Sequence, residues 1–338
     1  MPYAELHCQS CYSFLSGASH PHELVARAAG LGYHALAITD ECSLAGIVKA
    51  HVAAKERGIP LIVGSEFLLE EGIRLLALVP SRAAYSELSG LISLARRRSP
   101  KGEYRASLRD VIFHLKRCLL IWLPQDDSPG NRAYGLQLRR LCKNRVWLGI
   151  THLLGNNEVQ RYLALRQLAS DSGIPMVACG DVRMHCASRK PLHDVFTALK
   201  HNTSIDQLGR RRLANSQQHL RAPEQLRQLY PADLREETLH IANACHFSLD
   251  ELRYEYPEEV VPKGYTANSY LRELVAQGKT VRWPAGVPAE IQQRIEQELA
   301  LIEELNYEYY FLTVYDLSLI HISEPTRPAP LSRMPSSA

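Results

Sequence analysis

Residues 35–64, ALAITDECSLAGIVKAHVAAKERGIPLIVG, contain the pattern that decides the fold. The apolar run Ala35–Thr39 is followed by the helical pattern Ser43–Arg57, which stops at Gly58. A second apolar run, Leu61–Gly64, comes directly afterwards. A strand, a helix and a strand in this order are typical of a βα unit in a parallel sheet.

The same alternation extends in both directions and covers residues 1–185. Helical patterns are predicted at Pro21–Ala29, at Arg82–Ala95 after the N-cap candidate Ser81, and at Asn156–Ser172. Seven apolar runs are predicted to be strands: Tyr3–Leu6, Ala35–Thr39, Leu61–Gly64, Arg74–Val79, Leu119–Leu123, Val146–Thr151 and Met176–Gly180.

One connection breaks the parallel pattern. Only Glu70, Glu71 and Gly72 separate the apolar stretches Leu61–Leu69 and Ile73–Val79, which is the length of a hairpin turn. The predicted fold is therefore α/β, an irregular seven-stranded (β/α) barrel. We expect the barrel to occupy residues 1–200 and a helical connector to occupy 201–253, before a Pro-rich linker that begins near Tyr254.

Composition narrows the function only slightly. The 338 residues carry a net charge of +3, which neither requires nor excludes a nucleic-acid partner. No apolar run approaches the ~18 residues of a membrane span, so no membrane association is expected. The eight scattered cysteines indicate a reducing compartment, and we expect a cytoplasmic protein.

Candidate ligands follow four of the predicted strands. Side chains at the carboxyl ends of parallel barrel strands collect at one end of the barrel. Each residue alone could be a helix cap or a salt-bridge partner, but their recurrence indicates a present or former cleft for Zn²⁺ or Mn²⁺. The residues that follow the strands are His7, Asp40, Glu41, Glu66 and Asp181.

Two arginine triplets are the candidate contacts for DNA. They are Arg96, Arg97 and Arg98, and Arg210, Arg211 and Arg212. The default interpretation is a pair of solvated basic loops, and phosphate contact is the alternative.

Several motifs resemble a known family. Glu5–Gly17 (ELHCQSCYSFLSG), Leu36–Gly46 (LAITDECSLAG), Pro60–Leu68 (PLIVGSEFL) and Ala178–Met184 (ACGDVRM) resemble the motifs of a PHP (polymerase and histidinol phosphatase) domain, in order. The sequences of these motifs are most similar to those of C-family (DnaE-type) error-prone DNA polymerases of the ImuC-like kind. The similarity continues through Cys245–Val260 to Ile295–Asp316, which resembles the start of a polymerase palm.

The chain departs from the motifs of active PHP domains at the expected metal ligands. Gln9, Arg74 and Arg183 stand where the family pattern has histidines, Ser16 where it has an acid, and Glu41 replaces another histidine. Arginine cannot coordinate a cation, so a guanidinium could pair with the remaining carboxylates instead. The remnant metal site would consist of His7, Glu41, Glu66 and Asp181.

The resemblance implies a function for a longer parent protein. Such a polymerase adds deoxynucleoside triphosphates to a DNA primer across damaged templates, using Mg²⁺ held by palm carboxylates beyond Asp316. This chain would then contain no catalytic residue, with residues 254–316 as the truncated start of the polymerase core. The PHP barrel would be a structural platform, and the family's partners are the sliding clamp and ImuA/ImuB-type mutasome proteins. The alternatives are a metal-dependent phosphoesterase or 3′–5′ exonuclease in the barrel, and a free-standing PHP phosphatase.

Residues 317–338, at the end of the chain, have a separate interpretation. Residues 317–327, LSLIHISEPTR, resemble the in-frame translation of a widely used transposase sequencing adapter, and a natural disordered tail is the other interpretation. In either case we expect residues 317–338 to be disordered.

Overall fold

The structure, a computed structural model, describes residues 2–252 and 260–323. The chain divides into two compact units, Met1–Leu252 and Arg253–Ala338. Residues 201–252, which the sequence predicts to be a helical connector, lie in the same unit as the barrel strands.

All seven predicted strands are present, and they form one sheet in chain order. Pairing is parallel except that β4 runs antiparallel to both β3 and β5, which confirms the predicted hairpin. β3 extends beyond its predicted end, because β4 continues to pair with it as far as Leu68 opposite Arg74. The strands are β1 (Ala4–Glu5), β2 (Ala35–Ile38), β3 (Leu61–Leu68), β4 (Arg74–Leu78), β5 (Leu119–Trp122), β6 (Val146–Ile150) and β7 (Met176–Ala178).

The sheet curls until the chain after β1 meets the chain after β7. Cys8 forms a parallel bridge with Val182, and the amide of Val182 donates to the carbonyl oxygen of His7 at 2.9 Å. The buried Glu5 carboxylate accepts a hydrogen bond from the amide of Gly180 at 2.8 Å. A short seam therefore closes the barrel.

Nine helices lie in the described part of the first unit. Ser81 caps α3 as predicted, since its side chain accepts from the amide of Ala84. α2 begins at Ile47 and not at Ser43, because the chain turns first and Cys42 has a φ of 44°. The helices are α1 (Pro21–Gly30), α2 (Ile47–Arg57), α3 (Arg82–Arg97), α4 (Leu108–His114), α5 (Pro129–Cys142), α6 (Glu158–Ser172), α7 (Lys190–Lys200), α8 (Pro223–Leu229) and α9 (Ala232–Ala244).

Alternate residues along a strand pack in two different hydrophobic cores. Ala35 and Ala37 of β2 belong to a cluster that includes Ile241 and Ala242 of α9, whereas Leu36 and Ile38 belong to the larger cluster with the other helices. This alternation follows from the two-residue period of a strand. α9, predicted as part of a connector, thus completes the smaller core.

The described part of the second unit contains three α-helices, α10 (Ala267–Arg282), α11 (Ala289–Glu304) and α12 (Glu308–Ser323). Leu271, Leu299 and Leu312 form their small core. Two of these helices match the amphipathic patterns that the sequence shows at 268–277 and 289–305.

Helix α12 corrects part of the disorder expected at the end of the chain. The helix continues to Ser323, so residues 317–323 are helical. The physical reason is that this stretch is largely apolar and no proline interrupts it before Pro325. Residues 324–338 lie outside the described residues, as do residues 253–259 of the predicted linker.

Across residues 2–252 and 260–323, no helix has both the length and the apolar character that crossing a membrane requires.

Candidate functional site

Three of the four predicted ligands converge at the seam end of the barrel. His7 follows β1, Glu66 lies near the end of β3, and Asp181 follows β7. The His7 Nε2 atom is 2.8 Å from Glu66 Oε2 and 3.5 Å from Asp181 Oδ1. All three side chains are buried. His7, Glu66 and Asp181 therefore lie together in one cleft.

Two guanidinium groups occupy the same cleft. Arg74 is the first residue of β4, and because β4 runs antiparallel, its first residue lies at the same edge as the end of β3. Arg74 Nη2 is 2.6 Å from Glu66 Oε1 and 3.6 Å from Asp181 Oδ1. Arg183 Nη2 is 3.3 Å from Asp181 Oδ1. Each of the two carboxylates therefore pairs with an arginine.

Amide side chains also donate hydrogen bonds to both carboxylates. Gln9 donates from Nε2 to Glu66 Oε2 at 2.6 Å and accepts from Arg183 at 3.1 Å. Gln218 donates from Nε2 to Asp181 Oδ2 at 2.5 Å. Gln218 was not predicted, since it lies in an irregular segment with no strand or motif to mark it.

The pKa values show which charges the cluster holds. Burial disfavours the ionised form of Glu66, but His7 and Arg74 outweigh burial and lower the pKa of this carboxyl to about 2. The pKa of Asp181 is also well below its ordinary value, because Arg183, His7 and Arg74 outweigh burial. Glu66 and Asp181 are therefore both ionised at neutral pH, opposite two arginines.

These residues do not fit the metal centre that a PHP-type cleft implies. The His7 Nε2 atom, which would bind a cation, is hydrogen-bonded to Glu66, and the Nδ1 atom of the same ring has no partner. Arg74 and Arg183 bring permanent positive charge to the carboxylates that a cation would need. Among the described residues, no group of three or more His, Cys, Asp or Glu side chains is arranged to hold a metal ion.

Glu41 and Asp40 have different surroundings from the other three. The Glu41 carboxylate accepts a hydrogen bond from the Tyr104 hydroxyl at 2.9 Å. In the part of the chain that the structure describes, no hydrogen bond or ion pair joins its side chain to the cluster. Asp40 accepts from the hydroxyls of Ser10 and Ser13, each at 2.7 Å, and so fixes the loop after β1.

The arginine triplets differ in how much of their charge is free for DNA. Arg96 donates to the carbonyl oxygens of Glu41 and Cys42, and Arg98 pairs with Asp110 at 2.6 Å. Arg212 pairs with the buried Asp194 at 2.8 Å. The remaining three, which are exposed, are Arg97, Arg210 and Arg211.

Two family matches indicate the class of protein to which this fold and its cleft are similar. Residues 5–121 match the PHP domain family, and residues 269–324 match the family described as the bacterial DNA polymerase III alpha NTPase domain. The chain is thus similar to a PHP domain over residues 5–121 and to a DNA polymerase III alpha segment over residues 269–324.

Curated relatives make the likeness more specific. The chain is 52% identical over 317 residues to an error-prone DNA polymerase of Teredinibacter turnerae, and 51% identical over 317 residues to one of Saccharophagus degradans. Each match covers 94% of this chain but only 31% of the relative. The chain therefore spans about a third of the length of these relatives.

Two solved structures match part of this chain with low similarity. One is described as a metal-dependent phosphoesterase from Bifidobacterium adolescentis, with a TM-score of 0.41 and 19% identity over 53% of this chain and 87% of that chain. The other is an amidohydrolase from Chromobacterium violaceum, with a TM-score of 0.41 and 16% identity over 54% of this chain and 88% of that chain.

Proposed function

We propose that the chain belongs to an error-prone DNA polymerase that copies damaged templates in the cytoplasm. The identity to error-prone polymerases over 94% of the chain supports this function, and the eight free cysteines are consistent with a reducing compartment. The whole protein would bind DNA and deoxynucleoside triphosphates and use Mg²⁺ in its palm. It would act with a sliding clamp and ImuA/ImuB-type partners.

The gene offers a direct test of the polymerase proposal. An open reading frame that continues past the codon for Asp316 into palm carboxylates is expected. A stop codon at that point in the natural gene would contradict the proposal.

The PHP barrel is, in this proposal, a structural platform without metal chemistry. The observation that carries the proposal is the placement of Arg74 between Glu66 and Asp181. A hydrolase of this class needs cations that activate water and neutralise the phosphate in transit. Here the carboxylates that would hold those cations stabilise the fold by pairing with arginines.

The second candidate is a metal-dependent phosphoesterase or 3′–5′ exonuclease, favoured by the convergence of His7, Glu66 and Asp181. The two functions differ in bound metal and in nuclease activity. We expect the purified chain to contain far less than one equivalent of Zn²⁺ or Mn²⁺ by mass spectrometry. We also expect it to release no nucleotides from a 3′ end above the level of Asp181→Ala.

A gain-of-ligand variant completes this test. Arg74→His with Arg183→His removes both guanidinium groups and supplies two imidazoles, so metal content should rise above that of the wild type. Near-stoichiometric metal in the wild type, together with nuclease activity that Asp181→Ala abolishes, would show that the cleft is catalytic.

A further inference from the structure

A second concavity lies beside the arginine-filled cleft. Its volume is about 320 Å³, and Arg183 and Gln218 line it as well as contacting Asp181. The side chains of Ser16, His193 and Thr197 are buried in its wall, whereas Lys200 and Arg211 are exposed. The concavity therefore has a buried polar wall and cationic side chains that solvent can reach.

The lining includes Arg183, Lys200 and Arg211, and no Asp or Glu. Arg183 pairs with Asp181 in the neighbouring cleft, so the unbalanced positive charge of the lining comes from Lys200 and Arg211. Within residues 2–252 and 260–323, neither Lys200 nor Arg211 forms an ion pair with a carboxylate. The nearby Asp194 is already engaged by Lys190 and Arg212, both at 2.8 Å.

The pKa of His193 reflects the positive charge around its imidazole. Burial, together with Arg183, lowers the pKa of His193 to about 4, so its imidazole is neutral at neutral pH. Because His193 is neutral, it adds no charge to the pocket, and the charges of Lys200 and Arg211 are those that an anion would balance.

Hydroxyl groups accompany the cations. Lys200 Nζ donates to the Ser16 hydroxyl at 3.1 Å, and Ser16 stands where the family pattern has an acidic metal ligand. Thr197 Oγ1 donates to the carbonyl oxygen of His193 at 2.9 Å. The Thr197 hydroxyl is therefore already used as a donor, and the ammonium and guanidinium groups together with the Ser16 hydroxyl are the donors that phosphate oxygens accept from.

We propose that the pocket lined by Ser16, Arg183, His193, Thr197, Lys200 and Arg211 binds a phosphate group. The site does not depend on the polymerase function proposed above, because its donors all belong to the barrel unit. Arginine and lysine would here hold the anion directly. The same chemistry serves a free phosphate ion and the terminal phosphate of a DNA strand.

The test compares two adjacent arginines that differ in position. Binding of inorganic phosphate to the 338-residue chain is measured by isothermal titration calorimetry at constant ionic strength. Arg211→Gln removes a lining cation, and Arg210→Gln removes an exposed cation that does not line the pocket. The phosphate affinity should fall about tenfold or more in Arg211→Gln and in Lys200→Gln, since each loses a charge-assisted hydrogen bond. Arg210→Gln should bind like the wild type.

A second probe identifies the source of the phosphate. A short single-stranded oligonucleotide with a 3′ phosphate is compared with the same strand lacking it. Tighter binding of the phosphorylated strand, lost in Arg211→Gln, would assign the pocket to a strand terminus, whereas a response to inorganic phosphate alone would assign it to the free ion. The proposal is overturned if neither probe binds saturably, or if Arg210→Gln and Arg211→Gln weaken binding equally.

Discussion

Arg74 illustrates how one residue changes the chemistry of a cleft. Its guanidinium satisfies Glu66 and Asp181, which lie at the end of β3 and after β7. The convergence of His7, Glu66 and Asp181, and the pairing of arginines with carboxylates, could be predicted from strand ends and motif substitutions. Gln218 could not, because its position depends on the path of an irregular segment that carries no sequence signal.

The ion pair between Arg74 and Glu66 is largely buried, and we therefore expect a large loss of stability when the guanidinium is removed. Arg74→Gln should lower the free energy of unfolding by about 3–5 kcal/mol, because it leaves the buried Glu66 carboxylate without its arginine partner. Arg105→Gln is the matched control, since Arg105 pairs with the exposed Glu70, and it should cost less than about 1 kcal/mol. Urea titrations followed by circular dichroism give both values. Equal losses in the two variants would mean that burial does not set the strength of the Arg74 pair.

Glu66 predicts how stability depends on pH. Its pKa falls from the ordinary 4.5 to about 2 on folding, so between these values the unfolded chain binds the proton more readily than the folded chain does. Stability is therefore fully present above pH 4.5 and decreases as pH falls toward 2. Glu66 alone should contribute about 3 kcal/mol to this decrease.

Urea titrations across this pH range measure the effect, with Glu66→Gln as the reference. The variant has no charge to protonate, so its free energy of unfolding should change less between these pH values. A slope identical to that of the wild type would show that Glu66 does not titrate as its contacts indicate.

At the scale of elements, hydrophobic periodicity and turn residues located every strand. The positions at which strands end were predicted less accurately. The length of β3, for example, depends on its antiparallel partner and not on its own apolar run. Helices α4 and α5 were not among the predicted elements. The side chains of α5 that reach the core are few, with Leu138 and Cys142 buried, so its pattern is weak in the sequence.

The loop after β1 depends on a close approach of two backbone segments. A Cβ atom at Gly17 would lie 2.0 Å from the carbonyl oxygen of Ser10, so the loop must shift in Gly17→Ala. We expect this variant to lose about 2 kcal/mol or more. Gly90→Ala is the control, since it lies inside α3 with nothing within 4 Å of the added atom, and it should gain about 0.5–1 kcal/mol.

Thermal unfolding of the two glycine variants measures these changes. Opposite shifts of the transition temperature are expected, downward for Gly17→Ala and upward for Gly90→Ala. A Gly17→Ala variant as stable as the wild type would mean that the loop after β1, which Asp40 fixes, can shift without a loss of stability.

At the scale of the whole molecule, the two compact units have separate cores. Leu271, Leu299 and Leu312 form the core of the second unit, and the clusters around the sheet contain only residues of the first. Residues 1–252 expressed alone should therefore unfold with the free energy of the same unit in the whole chain, within about 0.5 kcal/mol.

A shorter truncation provides the comparison. Residues 1–230 lack α9, which supplies Ile241 and Ala242 to the smaller core and the Thr238 hydroxyl that the amide of Ala4 contacts. This shorter chain should not fold cooperatively. Cooperative unfolding of residues 1–230, measured by circular dichroism, would show that α9 is a connector and not part of the barrel.

The seam between the two ends of the sheet also has a consequence for the order of folding. Each strand pairs with the strand before it in the chain, so most contacts close short loops, whereas Glu5 and Gly180 are 175 residues apart. Long loops cost more entropy to close and slow folding. The seam should therefore form late. Because His7 and Asp181 lie on opposite sides of this seam, the cleft comes into existence only in the last step, when the barrel is complete.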